Sequence, residues 1–412
     1  MTIYEELEKR GLINQITSDE LIKNLESPMT VYCGFDPTAD SLHIGHLLPI
    51  CLLKHFANKG HQPIALIGGG TGLIGDPSFK KDERNLNSKE IVQSYVDGIQ
   101  NQLKNILRGT DMIFANNYEW IKEINMIDFL RDYGKHFTVN YMINKDSVSS
   151  RIESGISFTE FSYTIIQALD YLELYKRYNC RVQIGGSDQW GNITSGLELM
   201  RRENVNEKPY GLTVPLVTKS DGTKFGKTEG GAIWLDPKKT SPYEFYQFFL
   251  NTNDDDVIKY LKYFTFIDLE EINELNKLVK HSPHKRVAQK KLAEEVTIFV
   301  HGKKILNQVL KITETLFSGN IKDLTKEEVE TYFTNIKQYR MSRDSNIVEG
   351  LIEVKLAKSK REAKEFIVAG SIRINGEVIK DVNYLFKNED FVGDHYLMVK
   401  RGKKKIHFIK VD

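Results

Sequence analysis

Short apolar runs alternate with longer amphipathic stretches through the first half of the chain. The runs TVYCGF (30–35), PIALIGG (63–69) and DMIFAN (111–116) have the length and apolar character of buried strands. Residues 42–60 and 88–107, which lie between them, have the apolar spacing of helices. Because strands and helices alternate, we predict an α/β fold in which helices cover both faces of a mostly parallel sheet.

The length of the chain and a change of character along it indicate several domains. A chain of 412 residues is longer than one ordinary hydrophobic core supports. Helical periodicity dominates after about residue 240, and the charge changes near residue 345. Residues 345–412 carry 14 Lys and Arg against 10 Asp and Glu, whereas residues 1–344 carry 43 against 46. We predict a sheet domain at 1–220, a helical domain at 221–330, a linker at 331–344 and a small α+β domain at 345–412.

Composition bears on the cellular compartment and on metal binding. Cys33, Cys51 and Cys180 are far apart and form no C-x-x-C pair, which argues against a disulfide framework and against zinc. The first residues, MTIYEELEKRGL, are charged and contain no apolar signal region. No stretch approaches the roughly 18 apolar residues of a membrane helix. We therefore expect a cytoplasmic protein with no membrane segment, and, at a formal net charge of +1, only local attraction to nucleic acid.

Two glycine-rich stretches imitate phosphate-binding motifs. Residues 70–75 read G-x-G-x-x-G after a predicted strand, as in dinucleotide-binding dehydrogenases, but the next helical pattern starts only near Ser88. Residues 222–228, GTKFGKT, are one residue short of a P-loop and lead into no helix. The spacing therefore disfavours an NAD site and a P-loop, and it favours a lysine-rich loop that closes on a phosphate chain.

A third candidate is the stretch YCGFDPTADSLHIGHLLP, residues 32–49. It places Thr38, His43 and His46 just after a predicted strand, at the edge of an α/β sheet where ligands bind. Gly45 lets a flat base or ribose approach the helix backbone. Two other interpretations of the histidines are a metal site and a buried polar pair. A metal site would need a third ligand, and none lies nearby in the sequence. A buried histidine pair would not need the glycines that surround it. From these residues alone, nucleotide binding stays one alternative among the three.

Four motifs, taken in order, resemble one family. Residues 43–46, HIGH, together with residues 224–228, KFGKT, resemble the H-I-G-H and K-M-S-K-S motifs of class I aminoacyl-tRNA synthetases. Residues 163–171, YTIIQALDY, and 183–193, QIGGSDQWGNI, agree with the tyrosyl branch of that class. The chain resembles the bacterial tyrosyl branch over nearly its whole length.

Three positions depart from the usual motifs. Phe225 and Gly226 differ from K-M-S-K-S in the manner of the tyrosyl branch, and Leu169 stands where an aromatic residue is more common. The polar residues beside Leu169 are intact. The resemblance implies three parts: a Rossmann-like nucleotide-binding domain (1–220), the loop at 224–228 with a helical anticodon-side domain (221–330), and a ribosomal-protein-like RNA-binding domain (345–412).

The resemblance also implies a tyrosine–tRNA ligase reaction in two steps. The carboxylate of L-tyrosine attacks the α-phosphate of ATP, giving tyrosyl-adenylate and pyrophosphate. A ribose hydroxyl of the 3′-terminal adenosine of tRNA(Tyr) then takes the tyrosyl group. Such transfers depend on positioning and on stabilising negative charge, not on a covalent enzyme nucleophile. Mg²⁺ is expected to accompany ATP.

By the same resemblance, the expected site residues form three groups. Those expected at tyrosine are Tyr32 and Asp170 at the phenol, Asp76, Tyr163 and Gln167 at the α-amino group, and Gln189 at the carboxylate. Those expected at ATP are Gly34, Asp36, Thr38, His43, Gly45, His46, Gly186, Asp188, Lys224 and Lys227. Those expected to act in catalysis are Thr38, His43, His46, Lys80, Arg84, Lys224, Lys227 and Thr228. Of these, Thr38 and His43 are expected to hold the departing phosphates, whereas His46, with Gly45, is expected to lie against adenosine.

The tail resembles a small RNA-binding module shared with a ribosomal protein. A predicted helix ends at Gly370, and a hairpin follows because Asn375-Gly376 suits a type I′ turn. The expected RNA contacts are Lys358, Lys360, Arg361, Lys364, Lys400, Arg401 and Lys403. The alternative for this helix is a solvated charged surface. The family further implies a homodimer, and the rival functions are a tryptophanyl-tRNA synthetase and a non-catalytic RNA-binding protein.

Overall fold

The computed structural model describes residues 1–412 except 77–86, 150, 153–154, 224, 229–230, 319–320, 323, 334–337, 344, 394, 403–404 and 412. The chain forms two compact units. The first comprises Met1–Asp236 and Phe249–Val296, and the second comprises Pro237–Phe248 and Thr297–Asp412. The two units are defined by which parts of the chain pack together, and they do not test the predicted segments. The domain boundaries at residues 220, 330 and 344 therefore stay a prediction.

A six-stranded sheet forms the centre of the first unit. Its strands are β1 Gln15–Ile16, β2 Thr30–Phe35, β3 Gln62–Ile67, β4 Ile113–Asn116, β5 Cys180–Gly186 and β6 Tyr210–Val214. They lie in the order β1-β6-β5-β2-β3-β4. Only the pairing of β1 with β6 is antiparallel among these strands, which confirms the predicted α/β fold with a mostly parallel sheet. The order reverses between β2 and β5, and ligands bind at such a switch point in open α/β sheets.

Helices connect these strands. Their bounds are α1 Ile3–Arg10, α2 Glu20–Asn24, α3 Leu47–Asn58, α4 Lys89–Ile106, α5 Tyr118–Ile121, α6 Met126–Asp128, α7 Val139–Ile143, α8 Asp146–Ser149, α9 Phe158–Tyr178 and α10 Trp190–Arg202. The helix predicted at 42–60 begins as a 3₁₀ turn, Ile44–His46, before α3. Ser88 caps α4, since its hydroxyl accepts a hydrogen bond from the Ile91 N–H at 3.4 Å. The G-x-G-x-x-G stretch opens only a 3₁₀ turn, Thr71–Leu73.

The chain continues through a short hairpin and a group of helices. The hairpin pairs β7 Lys227–Thr228 with β8 Gly231–Ala232. The helices are α11 Pro242–Leu250, α12 Asp254–Phe264, α13 Leu269–His281, α14 Val287–His301, α15 Lys303–Ser318 and α16 Lys326–Phe333.

Arg10 fastens the first helix of the chain to the turn between α12 and α13. Its side chain is buried and pairs with Glu6 at 3.1 Å. Its guanidinium donates to the backbone carbonyls of Lys262 (3.3 Å), Thr265 (3.1 Å) and Ile267 (2.9 Å). Because a buried charge is stable only when it is paired and hydrogen-bonded, α1 and this turn depend on each other.

The second unit ends in a five-stranded sheet that includes a parallel edge. Its elements are β9 Gln338–Met341, α17 Ile347–Glu353, α18 Lys360–Val368, β10 Ile372–Ile374, β11 Glu377–Val378, β12 Tyr396–Arg401 and β13 Lys405–Val411. The strand order is β11-β10-β12-β13-β9, and β9 runs parallel to β13. Asn375 and Gly376, with φ of 45° and 89°, connect β10 to β11 as the predicted type I′ turn requires.

Candidate active site

A cleft with a volume of about 610 Å³ lies at the carboxyl ends of β2 and β5. It gathers predicted site residues that are separated by up to 157 positions in the sequence, from Tyr32 to Gln189. The predicted residues that line the cleft are Tyr32, Gly34, Asp36, Thr38, His43, Gly45, His46, Asp76, Tyr163, Gln167, Asp170, Gly186, Asp188 and Gln189. The sheet topology therefore brings the expected tyrosine and ATP residues into one space.

The remaining predicted catalytic residues do not line the cleft as the structure describes it. Lys80, Arg84 and Lys224 lie outside the described residues. Lys227 and Thr228 are described by their backbone, which forms β7. Their expected roles at the phosphates stay a prediction.

The carboxylate of Asp170 is held between two side chains at the base of the cleft. Trp120 Nε1 donates to Asp170 Oδ1 at 2.8 Å, and Asn117 Nδ2 donates to Asp170 Oδ2 at 2.9 Å. Asp170 and both donors are buried. Burial raises the pKa of Asp170 to about 8, while the two hydrogen bonds act in the opposite direction. The carboxyl group is therefore fixed in orientation and poorly solvated.

Asn117 connects this carboxylate to a second one. Besides bonding Asp170, its Nδ2 donates to Thr71 Oγ1 at 2.9 Å, and its Oδ1 accepts from the Gly70 N–H at 2.7 Å. Thr71 in turn donates to Asp36 Oδ1 at 2.7 Å. A continuous chain of hydrogen bonds thus runs from the base of the cleft to the end of β2.

Asp36 also receives a hydrogen bond from the opposite wall of the cleft. Tyr163, on α9, donates through its hydroxyl to Asp36 Oδ2 at 2.8 Å. Burial is the main cause that raises the pKa of Tyr163 well above its ordinary value, and Asp36 adds to it. The phenol therefore stays protonated and remains a donor to Asp36.

Tyr32 contributes an unpaired polar atom to the cleft. Its hydroxyl is buried and has no hydrogen-bond partner among the described residues. The Oε1 atoms of Gln167 and Gln183, which also line the cleft, lack partners within that part of the chain as well. A buried polar group without a partner costs free energy, about 1–3 kcal/mol for each group. These atoms are therefore suited to bind a polar ligand.

A second polar cluster centres on Gln189. Its Nε2 donates to Asp76 Oδ2 at 3.0 Å and to Asp188 Oδ2 at 3.3 Å, and its Oε1 accepts from Gln167 Nε2 at 3.3 Å. Burial raises the pKa of Asp188 above its ordinary value. The cluster presents carboxylates to one part of the cleft, where they can bind an ammonium group or ribose hydroxyls.

The two histidines of the HIGH motif are neutral and share one tautomer. His43 Nδ1 accepts from the Gly45 N–H at 3.0 Å, and His46 Nδ1 accepts from the His43 N–H at 3.2 Å. Burial lowers the pKa of both rings, that of His46 to about 3. Since Nδ1 accepts in each ring, the proton lies on Nε2, which is left as a donor for an anionic oxygen.

Two glycines keep this end of the cleft open. A Cβ on Gly45 would lie 2.8 Å from His43 Cε1, so a side chain there would displace the His43 ring. A Cβ on Gly34 would meet no atom within 4 Å, so the space beside this residue is available to a ligand. Backbone and histidine donors can therefore approach a nucleotide closely.

Three residues of this site were not predicted from the sequence. Asn117, Trp120 and Thr71 belong to none of the four family motifs, yet they orient Asp170 and Asp36. One signal pointed to Asn117, because it directly follows β4 and must therefore lie at the same edge of the sheet as the ends of β2 and β3.

The predicted RNA-contacting residues lie in the second unit. Lys358, Lys360, Arg361 and Lys364 are exposed, the first just before α18 and the other three in its first five residues. Lys400 lies opposite Arg373, a basic residue that was not predicted, in the pairing of β12 with β10. Lys403 lies outside the described residues.

Arg401 is occupied inside the second unit. Its Nη1 donates to the Leu356 carbonyl, and its guanidinium lies 4.5 Å from the centre of the Phe366 ring. These contacts give Arg401 a packing role beside any contact with RNA.

Within the described ranges, no helix is both long enough and apolar enough to span a bilayer. Over the same part of the chain, no three His, Cys, Asp or Glu side chains are grouped as metal ligands.

Comparison with known proteins agrees with this geometry. Residues 23–318 match the family described as tRNA synthetases class I (W and Y), and residues 328–409 match the Tyrosine--tRNA ligase SYY-like C-terminal domain. The parallel sheet, the cleft at its switch point and the HIGH motif at the mouth of that cleft define a class I aminoacyl-tRNA synthetase.

Full-length relatives narrow the assignment. A Tyrosine--tRNA ligase 1 of Bacillus cereus is 54% identical over 417 residues and covers 100% of both chains. A C-terminally truncated mitochondrial tyrosyl-tRNA synthetase of Aspergillus nidulans, a solved structure, is 34% identical with a TM-score of 0.69 over 77% of this chain and 94% of that one. A tryptophanyl-tRNA synthetase of Encephalitozoon cuniculi, 14% identical with a TM-score of 0.54 over 79% of this chain and 90% of that one, shares the fold alone. The chain belongs to the tyrosine–tRNA ligases, which confirms the resemblance found in its motifs.

Proposed function

We propose that this chain activates L-tyrosine with ATP and transfers it to tRNA(Tyr). The observation that carries the proposal is the pair formed by Tyr32 and Asp170 at the base of the cleft. Tyr32 offers a buried hydroxyl without a partner among the described residues, and Asp170 offers a carboxylate fixed by two donors. A para-hydroxyl on the substrate ring supplies the partner that the Tyr32 hydroxyl lacks and donates a further hydrogen bond to the oriented carboxylate of Asp170.

This pair also accounts for selectivity against phenylalanine. A phenol accepts from Tyr32 and donates to Asp170, whereas a phenyl ring leaves the Tyr32 hydroxyl buried and unpaired and brings apolar carbon against the Asp170 carboxylate. A site built to bond a substrate hydroxyl rejects the analogue without it, a rule for which tyrosyl-tRNA synthetases are themselves a known example. Asp76, Tyr163 and Gln167 are proposed at the α-amino group, and Gln189 at the carboxylate.

In the first step, the tyrosine carboxylate attacks the α-phosphate and pyrophosphate leaves. No group of the protein forms a covalent bond, so the chain contributes positioning and charge stabilisation. The Nε2 donor of His43 and the hydroxyl of Thr38 are proposed to bind phosphate oxygens, and His46 is proposed to lie against adenosine. Gly34, Asp36, Gly45, Gly186 and Asp188 are proposed to bind adenosine, and Lys80, Arg84, Lys224, Lys227 and Thr228 to close on the departing pyrophosphate.

Mg²⁺ is proposed to enter as a ligand of ATP and not as a resident metal. Among the residues that the structure describes, no cluster of acidic, histidine or cysteine side chains forms a metal site. The carboxylates of the cleft are engaged with side-chain donors, as Asp76 is with Gln189. The triphosphate itself therefore supplies the oxygen ligands that Mg²⁺ prefers.

In the second step, tRNA is proposed to contact the exposed basic residues at the start of α18. A homodimer is proposed as well, and the concentration of exposed apolar side chains between residues 126 and 158 of the first unit supports it, because large exposed apolar surfaces commonly mark protein interfaces. These side chains are Met126, Ile127, Leu130, Val139, Ile143, Ile152 and Phe158. The cytoplasm, which holds ATP and tRNA, is the proposed location.

Tyrosine-dependent exchange of pyrophosphate into ATP tests the function. Purified protein is expected to catalyse exchange with tyrosine and not with phenylalanine or tryptophan. Exchange with tryptophan in preference to tyrosine would favour the tryptophanyl alternative. Absence of exchange with any amino acid, in protein that still binds tRNA, would favour the RNA-binding alternative.

A further inference from the structure

Phe225, the second residue of the KFGKT segment, is buried in an aromatic cluster. Its ring stacks on Phe264, with 5.1 Å between ring centres and 18° between planes. Its ring centre also lies 4.8 Å from that of Tyr260 and 6.3 Å from that of Phe249. Two of these partners belong to α12, so the middle of the segment is attached to that helix.

Helix α12 also holds the residues that lead into the segment. The hydroxyl of Tyr260 and the ammonium of Lys259 donate to the Thr218 carbonyl at 3.2 Å and 2.7 Å. The Ser220 hydroxyl donates to Asp256 Oδ2 at 3.2 Å. The approach to the loop is therefore fixed by polar contacts, and its centre by aromatic packing.

Gly226 connects this attachment to the HIGH motif. A Cβ on Gly226 would lie 2.2 Å from Cγ2 of Ile44, and Ile44 is itself only 1% exposed, so it has little room to move. The φ angle of Gly226 is +84°, a conformation that residues with a side chain rarely adopt. Both facts exclude the serine that K-M-S-K-S has at this position, which explains the departure seen in the sequence.

The segment that follows the loop pairs with the same motif through the backbone. The Ile44 N–H donates to the Ile233 carbonyl at 2.8 Å, and the Leu235 N–H donates to the Leu42 carbonyl at 2.9 Å. The Ile233 N–H donates in turn to the Gly226 carbonyl at 3.4 Å. Ile44 therefore contacts the KFGKT region twice, through its side chain beside Gly226 and through its backbone hydrogen bond to Ile233.

We infer that Phe225, Gly226 and Ile44 form one joint that sets the position of Lys227 relative to His43 and His46 during adenylate formation. The three are positioning residues, since Lys227 directly follows Gly226 and the two histidines flank Ile44. The inference rests on the proposed function and adds to it the residues that align the two motifs. A displacement of about 1 Å between such groups costs on the order of a hundredfold in rate.

The test measures single-turnover formation of tyrosyl-adenylate by the full chain, together with tyrosine affinity and thermal unfolding. Gly226→Ala is expected to lower the adenylate rate by about a hundredfold while tyrosine affinity changes little. Gly222→Ala is the matched control, because Gly222 has a similar φ of +80° in the same loop but no atom within 4 Å of its added Cβ. The control is expected to lose far less rate.

Ile44→Ala supplies the rescue, because it removes the methyl group that a Cβ added at position 226 would strike. In the Ile44→Ala background, Gly226→Ala is expected to cost less than about tenfold, which is the part due to backbone strain. An equal loss in both backgrounds would overturn the inference, as would a parallel loss of tyrosine affinity. If the unaltered protein forms no adenylate, the proposed function is wrong. That result is distinct from the outcomes that contradict the inference about Phe225, Gly226 and Ile44.

A second variant covers the case in which Gly226→Ala does not fold. Phe225→Leu trims the buried ring without adding an atom near Ile44. It is expected to slow adenylate formation by about tenfold at unchanged tyrosine affinity, because the segment is then held less firmly on α12. An adenylate rate equal to that of the unaltered protein would overturn the inference.

Discussion

Replacement of Asp170 by Asn tests the base of the cleft at a single atom. The two carboxylate oxygens of Asp170 accept separate hydrogen bonds, one from Trp120 and one from Asn117. An amide has one acceptor oxygen and one donor nitrogen. In Asp170→Asn, the amide nitrogen therefore faces the N–H donor of either Trp120 or Asn117, and that donor loses its hydrogen bond in both orientations of the amide.

The magnitude follows from this count. One buried donor is left without an acceptor, which costs about 1–3 kcal/mol. A side chain of the site can rotate to give this donor a new acceptor. The acceptor atom for the substrate phenol is then no longer held in place, and tyrosine binds less tightly. At about 1.4 kcal/mol per factor of ten, kcat/KM for tyrosine is expected to fall roughly 5- to 150-fold. Phenylalanine has no phenol to lose, so its kcat/KM is expected to change much less.

The assay is pyrophosphate exchange with tyrosine and with phenylalanine, each at saturating ATP. The tyrosine-to-phenylalanine ratio is expected to fall at least about fivefold, with the KM for ATP unchanged. Glu198→Gln is the control, since it makes the same kind of charge removal on the neighbouring helix α10, where Glu198 pairs with Arg201 and Arg202 away from the cleft. A ratio that stays constant in Asp170→Asn, or falls equally in the control, would refute the reasoning.

Three further changes test other parts of the chain. Lys227→Ala is expected to slow adenylate formation by about a hundredfold with tyrosine affinity intact; stopped-flow and equilibrium binding check this, and collapse of tyrosine binding would contradict it. The double change Lys360→Glu with Lys364→Glu is expected to spare pyrophosphate exchange but weaken tRNA charging and reduce its salt dependence; equal charging across a salt series would argue against it. Hydrogen bonds, the largest from His55 and the next from Lys59, hold the pKa of Glu6 well below its ordinary 4.5. Ionised Glu6 therefore stabilises the folded state fully above pH 4.5, and this contribution is lost as the pH falls below 4.5. Glu6→Gln is expected to lower the free energy of unfolding by about 3 kcal/mol at pH 7 and by less at pH 3, measured in urea; the same loss at both values would contradict the assignment.

The parts of the site that the sequence predicted are those encoded in short local patterns. TVYCGF is β2 to the residue, and the HIGH motif follows the end of that strand as its spacing implies. Asn117 and Trp120 were not predicted, because their role is a pair of hydrogen bonds to Asp170 some 50 residues away. A long-range contact between single side chains leaves no periodic trace in one sequence.

The same limit applies to the tail and to the loop. The type I′ turn at Asn375-Gly376 was predictable because both residues tolerate positive φ. The pairing of β9 with β13 joins residues from the predicted linker to the last strand of the chain, and no local pattern indicated it. Gly226 was seen as a departure from a consensus, but its cause, the methyl group of Ile44, lies 182 positions earlier in the sequence.

The contact made by Arg10 has a consequence for how the chain folds as it is synthesised. The carbonyl groups that receive its guanidinium follow it by 252 to 257 residues. At about 5–20 residues per second, a ribosome needs roughly 13–50 s to deliver them after Arg10 emerges. Through that interval α1 has only earlier partners such as His55 and Lys59 of the α3 region, so its attachment to the end of α12, the helix that holds Phe225, forms only near the completion of the first unit.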